Sequence, residues 1–173
     1  MKALQCDMPQ GCSLRRDIDK YYLWDSFEIP LSRTDIGMQD LYLGIFAHPT
    51  RTFKFLMVIR NAVVSMFGIK GPTVQQLNHI EIRKTEYAVG EKMALFRLIS
   101  RSDVEIVAGG EDRHLDFRVS VLRIGESGVN RVVVTTAVDA HNLFGKVYLF
   151  FIMPFHRWGV RTILDNALAA HRI

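Results

Sequence analysis

The chain has 173 residues, of which 49% are hydrophobic and 23% charged, and 22 Lys and Arg against 18 Asp and Glu give a net charge of +4. A chain of this length can bury one core without help from metals or disulfides. Cys6 and Cys12 lack the paired spacing of a zinc site, so we expect free thiols and a reducing, cytoplasmic location.

Membranes and nucleic acids are not favoured as partners by the sequence. The strongest apolar run, Val147 to Phe155, is about half the ~20 residues of a membrane span. Asp7, Pro9 and Gly11 interrupt the stretch in which a signal peptide would need an apolar core. The basic residues are scattered rather than gathered in a block. We therefore expect no export signal, no stable membrane insertion and no nucleic-acid partner, while a homo-oligomer stays open.

The first predicted elements are a polar arm and a short strand. Residues 1–20 contain turn-forming residues and no buried periodicity, which predicts a loosely packed arm outside a single domain of residues 21–173. Tyr21 to Leu31 is rich in aromatic and β-branched residues and ends at Pro30, as expected of a first strand.

Two helices are predicted to follow the first strand. The first begins at Ser32 or Thr34, either of which can cap it, and ends before Pro49. The second begins at Thr50 and ends near Gly68, which is a helix stop signal. Its apolar residues recur every three to four positions and define one buried face: Phe53, Leu56, Met57, Ile59, Val63, Val64 and Phe67.

The remainder of the chain is predicted to form an antiparallel meander and a long helix. A linker, Thr73 to Glu91, contains a candidate edge strand at Ile80 to Tyr87. Four further strands are separated by short turns: Ala94 to Ser100, Asp103 to Gly109, Arg113 to Ile124 and Asn130 to His141. Short links require antiparallel pairing, and the final helix, Leu143 to about Ala170, must cover one face of the sheet. The fold class is therefore α+β.

The alternation of side chains divides the last two strands into an apolar and a polar face. The apolar face carries Leu115, Phe117, Val119 and Val121 on one strand and Val132, Val134, Thr136 and Val138 on the next. The polar face carries His114, Asp116, Arg118 and Ser120, with Arg131, Thr135, Asp139 and His141 on its neighbour. Pairing the two strands through a turn at residues 125–128 would bring His114 near Asp139. The same pairing would bring Arg118 near Thr135.

Five stretches of the C-terminal half carry a family resemblance. They are Gly110 to Arg118 (GEDRHLDFR), Val134 to Val138 (VTTAV), His141 to Gly145 (HNLFG), Tyr148, and Pro154 to Arg157 (PFHR). In these stretches the chain resembles the DUF2867 family, which in turn resembles the START/Bet v 1-like (SRPBCC) helix-grip superfamily. The resemblance implies a strand, two short helices, a curved antiparallel sheet and a long C-terminal helix that closes over it. It also implies a cavity between sheet and helix for an apolar or amphipathic small molecule, but no particular reaction.

The sharpest candidate for chemistry is the trio of His114, Asp116 and Arg118 on one strand face. A histidine, a carboxylate and a guanidinium together could move a proton and hold an anion. The same trio is also what the exposed face of an ordinary antiparallel sheet carries. Both readings stay open, as does an acid–base pair of His114 with Asp116 or Asp139.

The candidate ligand-binding residues lie on the polar strand face and in the final helix. They are Arg118, His141, Tyr148, Phe150, Phe155, His156 and Trp158. Asn142 can cap that helix, and Pro154 should bend it, which would either wrap it around the sheet or open a cavity mouth. Asp139, His141 and His156 follow no recognised metal-binding spacing, so we expect no metal and no cofactor.

Three functions are consistent with the sequence. The first is a binding domain with an apolar pocket, and the second is an enzyme of cyclase or hydratase type that uses His114 with Asp116 or Asp139. The third is an interaction or membrane-surface module, favoured if the second helix exposes its Phe and Met face beside Arg51, Lys54 and Arg60. A phosphate-binding Gly-rich loop, a nucleophile elbow and a HExxH string are all missing from the sequence.

Overall fold

The structure, a computed structural model, describes residues 2–51, 53–55, 57–58, 61, 80, 82, 85–126 and 129–173. Within them the chain forms a seven-stranded antiparallel sheet with strand order β1-β2-β7-β6-β5-β4-β3. The strands are β1 (Leu4–Cys6), β2 (Leu23–Pro30), β3 (Lys92–Met93), β4 (Phe96–Arg101), β5 (Glu105–Glu111), β6 (Leu115–Glu126) and β7 (Val129–Ala140). The helices are a 3-10 helix (Ser13–Lys20), α1 (Met38–Phe46) and the C-terminal helix (Leu143–Ala169). Residues 51, 53–55, 57–58 and 61 are also helical.

The predicted α+β class, the antiparallel meander and the long C-terminal helix are confirmed. The first strand and the four meander strands each begin and end within two residues of the prediction. The second helix starts at Thr50 as predicted, and the Oγ1 of Thr50 caps it by accepting a hydrogen bond from the N–H of Phe53 (3.0 Å). Most of that helix, and most of the candidate edge strand Ile80 to Tyr87, lie outside the described residues.

The two faces predicted for β6 and β7 are correct. The apolar set lies on the inner face, towards the C-terminal helix, where it joins the main core or lines a cavity. Fully or partly buried members of this set are Leu115, Phe117, Val119, Val121, Val132, Val134 and Val138. The outer face carries the polar set except His114, which precedes β6 and lines the cavity. Strand alternation alone was therefore enough to separate core from exterior.

The predicted register of β6 and β7 was wrong by two residues. Asp116 lies directly opposite Asp139, so His114 does not face Asp139 and Arg118 does not face Thr135. The ladder continues to the last residue of β6 and the first of β7, which makes the connection shorter than the four-residue turn inferred from the sequence. A shift of two positions preserves the faces, and for this reason the face assignment survived the error.

The loosely packed arm predicted for residues 1–20 was wrong. β1 pairs with β2, and Met8, Cys12 and Leu14 are buried on the outer face of the sheet. They form a second, smaller core with Val107, Leu122 and Ala137. The buried side chains come from turns and a 3-10 helix, whose spacing follows neither the period of a strand nor that of an α-helix. The sequence therefore carried no periodic signal of this packing.

A buried carboxylate fixes the N-terminal segment to the sheet. Glu105 of β5 accepts hydrogen bonds from the N–H of Ser13 (3.1 and 3.2 Å to its two oxygens) and from the hydroxyl of Ser120 (2.6 Å). Burial raises the pKa of the neighbouring Cys12 thiol, and it raises the pKa of Cys6 to about 11. Both cysteines are free thiols that stay protonated at neutral pH.

The first predicted helix begins later than expected. α1 starts at Met38 with Gly37 as its N-cap, although Ser32 and Thr34 were the predicted caps. Ser32 is engaged elsewhere, since its N–H and its hydroxyl both donate to the backbone carbonyl of Ile173. A tertiary hydrogen bond thus takes the side chain that local sequence assigned to capping.

The C-terminal helix is held at both of its ends. At its start Asn142 is the N-cap, as predicted, and accepts a hydrogen bond from the N–H of Gly145 (3.0 Å). A Cβ on Gly145 would lie 2.5 Å from the backbone oxygen of His114, so only glycine allows this approach. At the other end Leu164 and Ala167 are completely buried in the main core. The helix runs through Pro154 without a break, while the predicted bend stays a prediction.

Replacing Met8 with Ala should test the packing of the N-terminal segment. Met8 is 2% exposed, and truncating a buried methionine typically costs about 2–5 kcal/mol of unfolding free energy. Arg16→Ala is the matched control, because Arg16 is exposed in the same segment. Urea denaturation of both variants measures the difference. Equal stability of Met8→Ala and Arg16→Ala would contradict the packing described here.

Candidate functional site

A cavity of about 580 Å³ lies between the inner face of the sheet and the C-terminal helix. Its sheet side is formed mainly by inward apolar residues: Leu115, Phe117, Val119, Val134 and Val138. Its helix side is formed by successive turns of the C-terminal helix: Tyr148, Leu149, Ile152, Met153, Phe155, His156 and Val160. Phe53 and Met57, both in helical residues after α1, also line it. The lining is apolar apart from a few side chains.

The cavity exists because the helix touches the sheet at its ends and stands away from it between them. Gly145 brings the helix start against β6, and Leu164 anchors the later turns in the core. The strands beside the cavity are irregular. β4 and β5 change register between Leu98 and Ser100, and a Cβ on Gly110 would lie 2.8 Å from the Phe117 ring. A register irregularity and a strand glycine are the usual means of curving a sheet.

A buried carboxylate lies behind one wall of the cavity, next to an imidazole that lines that wall. Asp25 lies on β2 opposite Thr136, and its side chain is 2% exposed. Its Oδ1 is 3.5 Å from Nε2 of His156, and its Oδ2 is 3.4 Å from Nε of Arg157. Thr136 and His156 both line the cavity. We call Asp25, Thr136 and His156 the polar wall.

The polar wall contains two buried atoms whose hydrogen bonding is incomplete. Oδ1 of Asp25 and Nε2 of His156 are buried and have no hydrogen-bond partner among the described residues. Buried polar groups are nearly always hydrogen-bonded, and leaving one unpaired is costly. An imidazole next to a carboxylate can donate from one nitrogen and accept at the other, so it suits a ligand with a hydroxyl, amine or acid group.

The trio predicted from the sequence does not assemble at this cavity. Asp116 and Arg118 lie on the outer face, where they border a small cleft beneath the 3-10 helix. Arg118 pairs with Glu111 (2.6 Å), and Asp116 lies 3.4 Å from Nε2 of His141. Asp139 borders the same cleft. Asp116, Arg118, Asp139 and His141 thus form a partly exposed charge network around the outer cleft, and Glu111 connects it to the rim of the cavity.

His114 occupies the end of the cavity near the start of the C-terminal helix. Its Nδ1 is 3.1 Å from Nδ2 of Asn142, and its ring meets the ring of Phe144 edge to face at 4.7 Å. The backbone N–H of His114 donates a hydrogen bond to the carboxylate of Asp112 (2.6 Å), but the described contacts of the His114 ring include no carboxylate. The structure therefore does not bring together His114 with Asp116 or Asp139 as an acid–base pair.

The other predicted ligand-binding residues divide into three groups. Tyr148, Phe155 and His156 line the cavity. Phe150 and Trp158 face outward, with 77% and 51% of their surfaces exposed. Arg118 and His141 belong to the outer-face network described above.

Asp25 was missed by the sequence reading, although one signal was present. In β2 the residues at positions 25, 27 and 29 share the inner face, and Phe27 and Ile29 belong to the core. A carboxylate in such a row is unusual, because an unpaired buried charge is strongly unfavourable. Its partner His156 is more than a hundred positions away in sequence, so only the fold reveals the pair.

Neither a metal site nor a membrane-spanning helix is found among the described residues. No group of three or more His, Cys, Asp and Glu side chains among them could hold a metal ion. No helix in the same part of the chain combines the length and apolarity needed to cross a membrane.

The family model described as "Protein of unknown function (DUF2867)" matches residues 18–163, and the chain therefore belongs to the DUF2867 family. The match spans β2 with Asp25, the whole meander and the helix through His156. It thus includes every residue of the polar wall. A search of curated proteins gave no match.

Asp25→Asn should leave the free energy of unfolding unchanged or raise it slightly. The substitution keeps the shape and removes a buried charge whose contacts are long, and such charges contribute little net stability. Ser26→Ala is the matched control on the next residue, since the Ser26 hydroxyl is 2.8 Å from that of Thr135 on the outer face.

The control should lose about 1–3 kcal/mol, because it leaves a buried hydroxyl without its partner. Denaturant titrations of both variants provide the comparison. If Asp25→Asn loses as much stability as Ser26→Ala, Asp25 is a structural residue and the polar wall has no claim to a functional role.

Proposed function

We propose that this protein is a helix-grip domain of the START/Bet v 1-like type that binds one apolar or amphipathic small molecule. The observation that carries the proposal is the cavity of about 580 Å³ between sheet and helix. Small-molecule pockets typically occupy roughly 300–1,000 Å³ and combine an apolar lining with a few polar groups. The cavity meets both conditions.

The order of elements supports the helix-grip assignment. β2 precedes α1 and the helical residues 51–61, the meander follows, and the C-terminal helix closes over the inner sheet face. This is the arrangement that the family resemblance implied. The additional strand β1 and the 3-10 helix lie on the outer face and leave the cavity side unchanged.

The polar wall favours a ligand with an apolar body and one polar end. Apolar side chains contact most of the cavity surface, so burial of the body would supply most of the binding free energy. A hydroxyl, amine or acid group at the end of the molecule would hydrogen-bond to Thr136 or His156, which line the cavity. The free thiols are consistent with a cytoplasmic ligand.

An acid–base enzyme is a second candidate, favoured by the approach of Asp25 Oδ1 to Nε2 of His156 at 3.5 Å. This pair would take the role that the sequence assigned to His114 with Asp116 or Asp139. Asp25 would orient the imidazole, and His156 would transfer the proton. A molecule co-purified with the protein, identified by native mass spectrometry, provides the test. Its mass should change on incubation with wild-type protein and not with His156→Gln if the pair is catalytic.

Filling the cavity should abolish ligand binding. Ile152 lines the cavity, so Ile152→Trp would occupy space that the ligand needs. Phe150→Trp is the matched control, because Phe150 is 77% exposed on the opposite side of the same helix. Titration with the fluorescent probe 1-anilinonaphthalene-8-sulfonate should show affinity reduced about tenfold or more for Ile152→Trp and unchanged for Phe150→Trp.

Thermal melts of each variant show whether Ile152→Trp is folded, so that a loss of binding is not confused with a loss of structure. Native mass spectra of the wild type should contain a bound small molecule or a saturable probe complex of one to one. A wild-type protein that binds neither, or an Ile152→Trp variant that binds the probe as well as wild type does, would overturn the proposal.

A further inference from the structure

The outer side of the C-terminal helix is apolar although it faces solvent. We call it the aromatic face, and it consists of Leu143, Val147, Phe150, Phe151, Phe155 and Trp158. Phe150 and Phe151 are 77% and 64% exposed, and their rings meet edge to face at 5.3 Å. A contiguous cluster of exposed apolar side chains is a common feature of binding surfaces.

A second helical segment repeats the pattern next to the same cavity. Phe53 and Met57 line the cavity, whereas Phe55 and Val58 between and beside them are 60% and 48% exposed. Both helical walls of the cavity thus have apolar side chains on their solvent side. An amphipathic helix that only covered a core would carry polar residues there.

The charged residues in two sequence segments that include these helical residues are all basic. Residues 41–80 and 140–164 contain seven Lys and Arg and no Asp or Glu. The rest of the chain contains 15 Lys and Arg against 18 Asp and Glu, so the positive net charge of the protein comes from these two segments. The basic residues are spaced singly, as the sequence indicated, and no acidic residue within the two segments offsets them, although Asp25 and Asp165 lie at the C-terminal helix.

We propose that the aromatic face docks the protein on the surface of an anionic lipid bilayer. Phe, Trp and Leu side chains that enter the interface, with Lys and Arg at the level of acidic headgroups, are the features of surface-bound amphipathic helices. The described helices lack a membrane span, so the protein lies on the bilayer without crossing it.

The charge distribution favours a bilayer over a second copy of the chain. A two-fold symmetric dimer through the aromatic face would place each basic segment against its own counterpart. Lys146, Arg157 and Arg161 belong to the same helix as the aromatic face, and such a dimer would bring these like charges together. An acidic headgroup layer offers the opposite charge over the whole face.

Docking would place the cavity next to the membrane. Phe155 is 43% exposed on the aromatic face and also lines the cavity. An amphipathic ligand that leaves the bilayer would therefore have only the thickness of one helix to pass. Bilayer docking by the aromatic face does not depend on which molecule the cavity binds. Failure of the docking proposal therefore does not affect the proposal of ligand binding, and the reverse also holds.

Vesicle flotation of the full chain tests the proposal. Vesicles of phosphatidylcholine alone are compared with vesicles that also contain phosphatidylglycerol, at low and high salt. Phe150→Ser/Phe151→Ser removes apolar contacts, and Lys146→Glu/Arg51→Glu reverses two charges. The matched controls lie away from both segments: Leu4→Ser/Val104→Ser, which are exposed apolar residues, and Lys2→Glu/Arg16→Glu.

Wild-type protein and both controls should float with the anionic vesicles and be released by high salt. Each aromatic-face or charge variant should bind about tenfold more weakly, with thermal melts and binding of 1-anilinonaphthalene-8-sulfonate unchanged. Three outcomes would overturn the proposal: no flotation with any vesicle, equal loss in the control variants, or a solution dimer that Phe150→Ser/Phe151→Ser dissociates. The last outcome would assign the aromatic face to self-association.

Discussion

The attachment of the C-terminal helix at its two ends is the constraint on which the rest of this structure depends. Gly145 allows the helix start to meet the backbone of His114, and Leu164 and Ala167 fix its later turns in the core. Between these points the helix bridges a curved, apolar sheet face. The cavity, the polar wall and the aromatic face all belong to the bridging turns. If the helix packed against the sheet along its whole length, there would be no cavity and no polar wall.

The polar wall joins the bridging turns to the sheet by electrostatics rather than by packing. His156 and Arg157 are consecutive in the helix, and each approaches a different oxygen of Asp25. Because the contacts are long and Asp25 is almost completely buried, the pair contributes less to stability than apolar residues of similar volume would. A buried charge with this arrangement is better explained by what it offers the cavity than by what it adds to the core.

The features that could be predicted from the sequence are those with a regular period. Alternation fixed the faces of β6 and β7, and helical spacing with Asn142 as cap fixed the last helix. The predicted register of β6 and β7 was wrong because the register depends on the length of one turn. The predicted packing of the N-terminal segment was wrong because turns give no periodic pattern of apolar residues. Of the predicted polar trio, Asp116 and Arg118 share the outer face, whereas His114 precedes β6 and lies at the cavity under the helix. Only the tertiary fold brings Asp25 to His156.

The composition of the C-terminal helix changes along its length. Its later turns are suited to covering the core, whereas its earlier turns border the cavity and carry the aromatic face. After Val160 the outward positions are mainly polar or small, with Arg161 and Asn166 exposed and Asp165 partly exposed, as expected for a helix that covers a core. Before Val160 most exposed positions are Phe, Trp, Leu or Val, beside Lys146, Pro154 and Arg157, and these apolar side chains add nothing to the buried core and carry a risk of aggregation. The apolar exterior coincides with the turns that border the cavity. The aromatic face and the cavity are therefore connected in function. Apolar molecules dissolve in a lipid bilayer much better than in water, so a protein docked on a bilayer can take up such a ligand directly from it.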